Sequence, residues 1–158
     1  MSVAELLDRA KAQGVMITTA ESCTGGMVAA ALTDIPGSSA VVDRGFVTYT
    51  NDAKQDMLGV LAKTLNTHGA VSEEVAREMA EGALRNSQAQ LAVSITGIAG
   101  PGGSEFKPEG RVCFGLAAKG RPTFVETIEF GARGRDAVRN AARDHALDLL
   151  RKALPPSA

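Results

Sequence analysis

The chain has 158 residues, with 17 basic against 18 acidic side chains, 44% hydrophobic and 22% charged residues, and 17 glycines. That length and balance fit one domain with its own core, and they exclude a disordered chain and a basic nucleic-acid-binding surface. No apolar run approaches the roughly 20 residues of a membrane helix, and Glu5 lies where a signal peptide would be basic and then apolar.

In chain order, Ser2 and Glu5 have capping-box spacing ahead of Leu6, Leu7 and Ala10, and Gly14 marks the end of that first helix. Val15 to Ala20 reads as a buried strand. Gly25 to Leu32 reads as a small, alanine-rich helix stopped by Pro36-Gly37. Val41 to Thr50 reads as a second strand, interrupted at Gly45. Asn51 reads as the N-cap of a short helix through Leu58, followed by another helical stretch from Leu61 to Thr67. Ser72 caps an amphipathic helix with Val75, Met79, Gly82 and Ala83 along one side. Leu91 to Ile95 alternates as a strand, and Thr96 to Gly110 is a long glycine-rich loop. Two further strands, Arg111 to Ala118 and Thr123 to Phe130, are joined by the turn Lys119-Gly120-Arg121-Pro122. The last helix runs from about Arg135 to Leu154 and is stopped by Pro155-Pro156. Helices alternating with strands predict a layered α/β domain, and the late hairpin predicts a mixed sheet.

The two cysteines, Cys23 and Cys113, do not make a disulfide framework, so a cytoplasmic protein with reduced thiols is expected. Together with His68 and His145 they have no ligand spacing, so neither a metal nor another cofactor is expected.

The glycines concentrate in two segments, each directly after a predicted strand. One is Glu21-Ser22-Cys23-Thr24-Gly25-Gly26; the other is Thr96-Gly97-Ile98-Ala99-Gly100-Pro101-Gly102-Gly103. Ligands of open α/β sheets bind outside the carboxyl ends of strands. Either segment can present backbone N–H groups to an anion, or serve only as a turn.

Ser22 sits where strand turns into helix, as a nucleophile or as a turn residue. Cys23 is a second candidate nucleophile or a buried thiol. With Asn51 as N-cap, Lys54 is the third helical residue. There the helix dipole opposes a cation and favours the neutral amine that a general base requires. The single tyrosine, Tyr49, lies five residues before it. Arg135, Arg139 and Arg143 recur every four residues on the last helix. Asp136, Asp144 and Asp148 nearby predict a salt-bridged solvent face for most of them.

Four runs together resemble the CinA C-terminal domain family. They are Thr19 to Gly26, Tyr49-Thr50-Asn51-Asp52-Ala53-Lys54, His68-Gly69-Ala70-Val71-Ser72, and Ser94 to Gly103. The resemblance runs in order from about residue 3 to residue 152. It implies a single three-layer α/β/α domain with a mixed sheet. It also implies hydrolysis of the carboxamide of nicotinamide mononucleotide, giving nicotinate mononucleotide and ammonia. By the same resemblance Ser22 is the nucleophile and Lys54 its base, with Tyr49 and Thr96 in supporting polar positions. Thr24, Gly25, Gly26, Gly97, Gly100, Gly102 and Arg135 would hold the substrate. The oxyanion hole would come from the amides near Thr24–Gly26 or Thr96–Gly97. The stretch Gly131-Ala132-Arg133-Gly134-Arg135 departs from the family's Gly-Asp-Arg run, which leaves the role of Arg135 to the structure. The expected partner is a small pyridine nucleotide, with no nucleic acid and no membrane, and a homo-oligomer is expected. Two other readings use the same residues: a non-catalytic nucleotide-binding or competence/damage-related module, and an amidase working through Cys23.

Overall fold

The computed structural model describes residues 2–104 and 106–154. The predicted Pro155-Pro156 stop lies outside them. Among the described residues the chain forms six α-helices and five strands. Helix α1 (Val3–Ala12) opens with the Ser2/Glu5 capping box. Strand β1 (Ile17–Glu21), helix α2 (Met27–Thr33) and strand β2 (Val42–Val47) follow. Three helices come next: α3 (Asn51–Leu58), α4 (Ala62–His68) and α5 (Glu73–Arg85). Strands β3 (Leu91–Gly97), β4 (Arg111–Ala118) and β5 (Phe124–Glu129) then lead into α6 (Arg135–Ala153).

The sheet order is β2-β1-β3-β4-β5. Strands β2, β1 and β3 are parallel, and β4 and β5 are antiparallel additions. The expected mixed sheet and three layers are both present. Helices α1, α2 and α6 cover one face, where Leu6, Val28, Val138 and Leu150 join Ile17, Val93, Ile95 and Phe114 in one apolar cluster. Helices α3, α4 and α5 cover the other face, where Leu58, Leu65, Val75 and Met79 meet Ala20, Ala92 and Ala117.

The two faces have different side chains because successive strand residues point to opposite sides. Along β3, Leu91, Val93 and Ile95 face α6, while Ala92, Ser94 and Thr96 face the other layer. The α5 side of the sheet is therefore made of small residues, and the helix lies close to it. A Cβ at Gly115 would come within 2.5 Å of the Ala76 carbonyl oxygen, and one at Gly82 within 2.0 Å of that of Leu58. Part of the glycine surplus thus serves close packing of α5 against β4 and α3.

The topology also fixes where a ligand binds. From β1 the chain crosses through α2 to β2 on one side. It then returns through α3, α4 and α5 to β3 on the other side. The strand order reverses at β1, so a crevice opens at the carboxyl ends of β1 and β3. No helix among the described residues is long and apolar enough to cross a membrane.

Candidate active site

Ser22 is the first residue beyond β1. Its N–H donates to the Ile95 carbonyl on β3 at 3.0 Å, so the sheet ladder carries into the turn. The turn is bent over the carboxylate of Glu21, which is fully buried. Glu21 accepts from Thr24 Oγ1 at 2.6 Å and from the Val28 and Ala29 amides at 3.0 Å each. A carboxylate at a helix N-terminus takes up first-turn amides that lack an intrahelical partner and meets the positive end of the dipole. Gly25 and Gly26 have φ of 57° and 108°, which lets the chain reverse into α2. The sequence reading quoted Glu21 but assigned it no task. The available signal was a carboxylate closing a buried strand just ahead of a glycine turn.

Lys54 reaches Ser22 from the opposite layer. The cap of α3 is Thr50 rather than the expected Asn51: Thr50 has extended backbone, and its hydroxyl accepts from the Ala53 amide at 3.0 Å. Threonine serves because its oxygen reaches the third amide of the helix. Asn51 is thereby the first helical residue and Lys54 the fourth, still in the first turn. The Lys54 side chain is 1% exposed. Its Nζ lies 3.1 Å from Ser22 Oγ, 2.9 Å from the Thr48 carbonyl oxygen and 3.3 Å from that of Tyr49. A neutral amine has two N–H donors and one lone pair. Two carbonyls match the donors, and the serine hydroxyl matches the lone pair.

These groups open onto a cleft of about 310 Å³, lined also by Tyr49, Asn51, Thr96, Gly97, Gly100, Gly102 and Arg135. Thr96 is buried, and its hydroxyl donates to the Ala70 carbonyl at 2.8 Å. That bond holds the α4–α5 connection beside the cleft, and Lys107 Nζ adds bonds to the His68 and Val71 carbonyls. Strand β3 runs through Gly97, two residues beyond its predicted end. Tyr49 stands at the rim, 58% exposed.

The arginines of α6 depart from the expected solvent face. Arg143 does pair with Asp144, at 2.9 Å. Arg135 instead donates to the Gly100 carbonyl at 2.8 Å and to the Tyr49 hydroxyl at 2.9 Å, joining the two sides of the cleft. Arg139 donates to the carbonyls of Cys23 and Thr24, at 3.0 and 3.4 Å. Carbonyl groups left over by a tight turn are better partners for these two than solvated aspartates on their own helix.

Thr24, Gly25 and Gly26 are not brought to the cleft lining. The Thr24 hydroxyl is engaged by Glu21, and the Gly25 amide donates to the Ser22 carbonyl at 3.0 Å. In the second loop the Ile98, Gly102 and Ser104 amides donate to Arg111, Glu109 and Lys107. Among the described residues, the amides of Ala99, Gly100 and Gly103 make no such bond. Burial pushes the Cys23 thiol up to about 11, so it is protonated near neutral pH. His145 is paired with Glu126 against β5, away from the cleft.

The same arrangement of sequence and fold recurs in known proteins. The chain is 54% identical over 152 residues to the nicotinamide-nucleotide amidohydrolase PncC of Escherichia coli strain K12, covering 95% of this chain and 92% of that protein. It is also 54% identical over 147 residues to a CinA-like protein of Chlorobium phaeobacteroides, but spans only 35% of that protein's length. Among solved structures, the competence/damage inducible protein CihA of Agrobacterium tumefaciens matches with a TM-score of 0.88 at 52% identity, covering 96% of this chain and 94% of that one. A CinA superfamily protein from Enterobacter cloacae matches with a TM-score of 0.91 at 34% identity, covering 98% and 94%. The model of the CinA C-terminal domain matches residues 2–154, and the chain belongs to that family.

Proposed function

We propose that the protein hydrolyses the carboxamide of nicotinamide mononucleotide to nicotinate mononucleotide and ammonia. The observation that carries this reading is the buried Lys54 amine, 3.1 Å from the hydroxyl of Ser22 at the floor of the cleft. The name of the similar Escherichia coli protein supplies the substrate class.

Ser22 Oγ attacks the carboxamide carbon while Lys54 takes the hydroxyl proton. The tetrahedral oxyanion is met by backbone N–H groups. The second loop is favoured over the 24–26 turn, because its Ala99, Gly100 and Gly103 amides are not engaged elsewhere among the described residues. Lys54 returns the proton to the nitrogen, the C–N bond breaks, and ammonia leaves an ester on Ser22. Water, deprotonated by the same amine, then cleaves the ester. The net change is one carboxamide and one water to one carboxylic acid and one ammonia.

Arg135 and the loop around Gly100 and Gly102 are the groups best placed to receive the nucleotide's phosphate. The Tyr49 ring flanks the pyridine. A homo-oligomer in the cytoplasm remains part of the proposal. A non-catalytic binding module leaves the burial of a lysine against a serine hydroxyl without a purpose. Replacing Ser22 with Ala tests the reading. Ammonia release from nicotinamide mononucleotide should vanish with an unchanged melting temperature, and retained turnover would rule out the covalent route.

A further inference from the structure

We infer that Asn51 reads the substrate's carboxamide: its side-chain oxygen accepts an N–H of the amide and turns the leaving nitrogen toward Lys54. The inference rests on the amidohydrolase reading above.

Asn51 lines the cleft with Ser22 and Lys54. Because Thr50 caps α3, Asn51 has no capping task. Its backbone carbonyl is used by Gln55, but among the described residues its side chain makes no hydrogen bond. The other polar side chains around the reaction site are committed. Tyr49 bonds Arg135, Thr96 bonds the Ala70 carbonyl, and Ser22 meets Lys54.

Helical spacing places the pair. Asn51 and Lys54 are three residues apart, so their Cβ atoms are neighbours at about 5–6 Å on one side of the helix. Lys54 points inward to the nucleophile, and Asn51 stands exposed one turn nearer the mouth.

The chemistry then selects the contact. The departing nitrogen must lie beside Lys54 to receive its proton, and so beside Asn51. A bound carboxamide can present either its oxygen or its nitrogen to the base, and only one orientation is productive. A neutral acceptor next to Lys54 favours the N–H₂ end there and sends the carbonyl oxygen to the backbone amides. The product carboxylate has no N–H to offer, so the same oxygen repels it. Asn51 would therefore separate substrate from product as well as orient the amide.

The test uses the full chain with Asn51→Ala and Asn51→Asp, each measured at its own pH optimum with nicotinamide mononucleotide. Nicotinate mononucleotide is added as inhibitor. Asn51→Ala should lower kcat/KM about ten- to hundredfold, as expected for a lost hydrogen bond that leaves a desolvated donor unpaired. Its inhibition by the product should not weaken. Asn51→Asp keeps the acceptor, so it should stay within about tenfold of the wild type while product inhibition weakens. Equal losses of affinity for substrate and product in Asn51→Ala would place the contact on the ribose or phosphate and overturn the inference. Unchanged kinetics would do the same. Wild-type protein that releases no ammonia would sink the amidohydrolase reading itself; normal release from both wild type and Asn51→Ala would sink only the Asn51 contact.

Discussion

Lys54→Met removes the amine and keeps the length of the side chain, so it separates the chemical role of Lys54 from its packing. Loss of a general base costs about 10²–10⁴ in rate, or about 2.7–5.4 kcal/mol of barrier. The stability effect is a balance. The carbonyls of Thr48 and Tyr49 lose a donor, at about 1–3 kcal/mol each. Burying a thioether where an amine stood returns about 1.5–3 kcal/mol, and the amine's own desolvation penalty disappears. The net change should be within about 3 kcal/mol, a melting shift within about 10 °C for a domain of this size. The assay is initial-rate ammonia release across pH, beside a thermal melt. In the wild type, activity should rise with pH as the base loses its proton, and the variant should lose that ascending limb. A folded variant with the same pH–rate profile would mean that another group is the base, and the arrangement of Lys54 with Ser22 would need another explanation.

Three further outcomes follow from the geometry. Cys23→Ala should keep ammonia release within about threefold, because a thiol held up to about 11 is protonated at neutral pH and becomes a thiolate only as pH rises toward that value; abolished turnover in a folded variant would restore the thiol as nucleophile. Arg139→Ala leaves the Cys23 and Thr24 carbonyls without their donor and should cost about 1–3 kcal/mol, seen as a lower melting temperature, with kcat falling more than KM rises because the nucleophile turn loosens; an unchanged kcat would make Arg139 purely structural. Gly82→Ala drives a methyl to within 2.0 Å of the Leu58 carbonyl, so α3 must shift from α5. Denaturant unfolding should show a loss of about 1–3 kcal/mol, with activity reduced through displaced Lys54.

Several of these residues show how far local patterns reach. The Ser72 cap, the apolar side of α5 and the β4–β5 hairpin were legible because their causes lie within a few residues. Thr50 was missed as the cap because Asn51 is an equally good capping type one position later; the backbone, extended at residue 50 and helical at 51, decides between them. The α6 arginines were misread for a different reason. Aspartates at helical spacing are visible in sequence, whereas the carbonyls of Cys23, Thr24 and Gly100 become available only after the loops have folded.

By itself the sequence determined the alternation of helices and strands, the two glycine segments and the residue types of an amide hydrolase. Those follow from short-range propensities and from the resemblance of four motifs. Tertiary structure decided which of those residues meet. Ser22 and Lys54 are 32 residues apart on opposite layers, and they come together because the strand order reverses at β1 and opens a crevice at its carboxyl end. It also decided that only the second glycine segment lines the cleft, because the first is occupied in capping α2 through Glu21. Which amides and carbonyls remain for a substrate depends on which ones the fold has already paired.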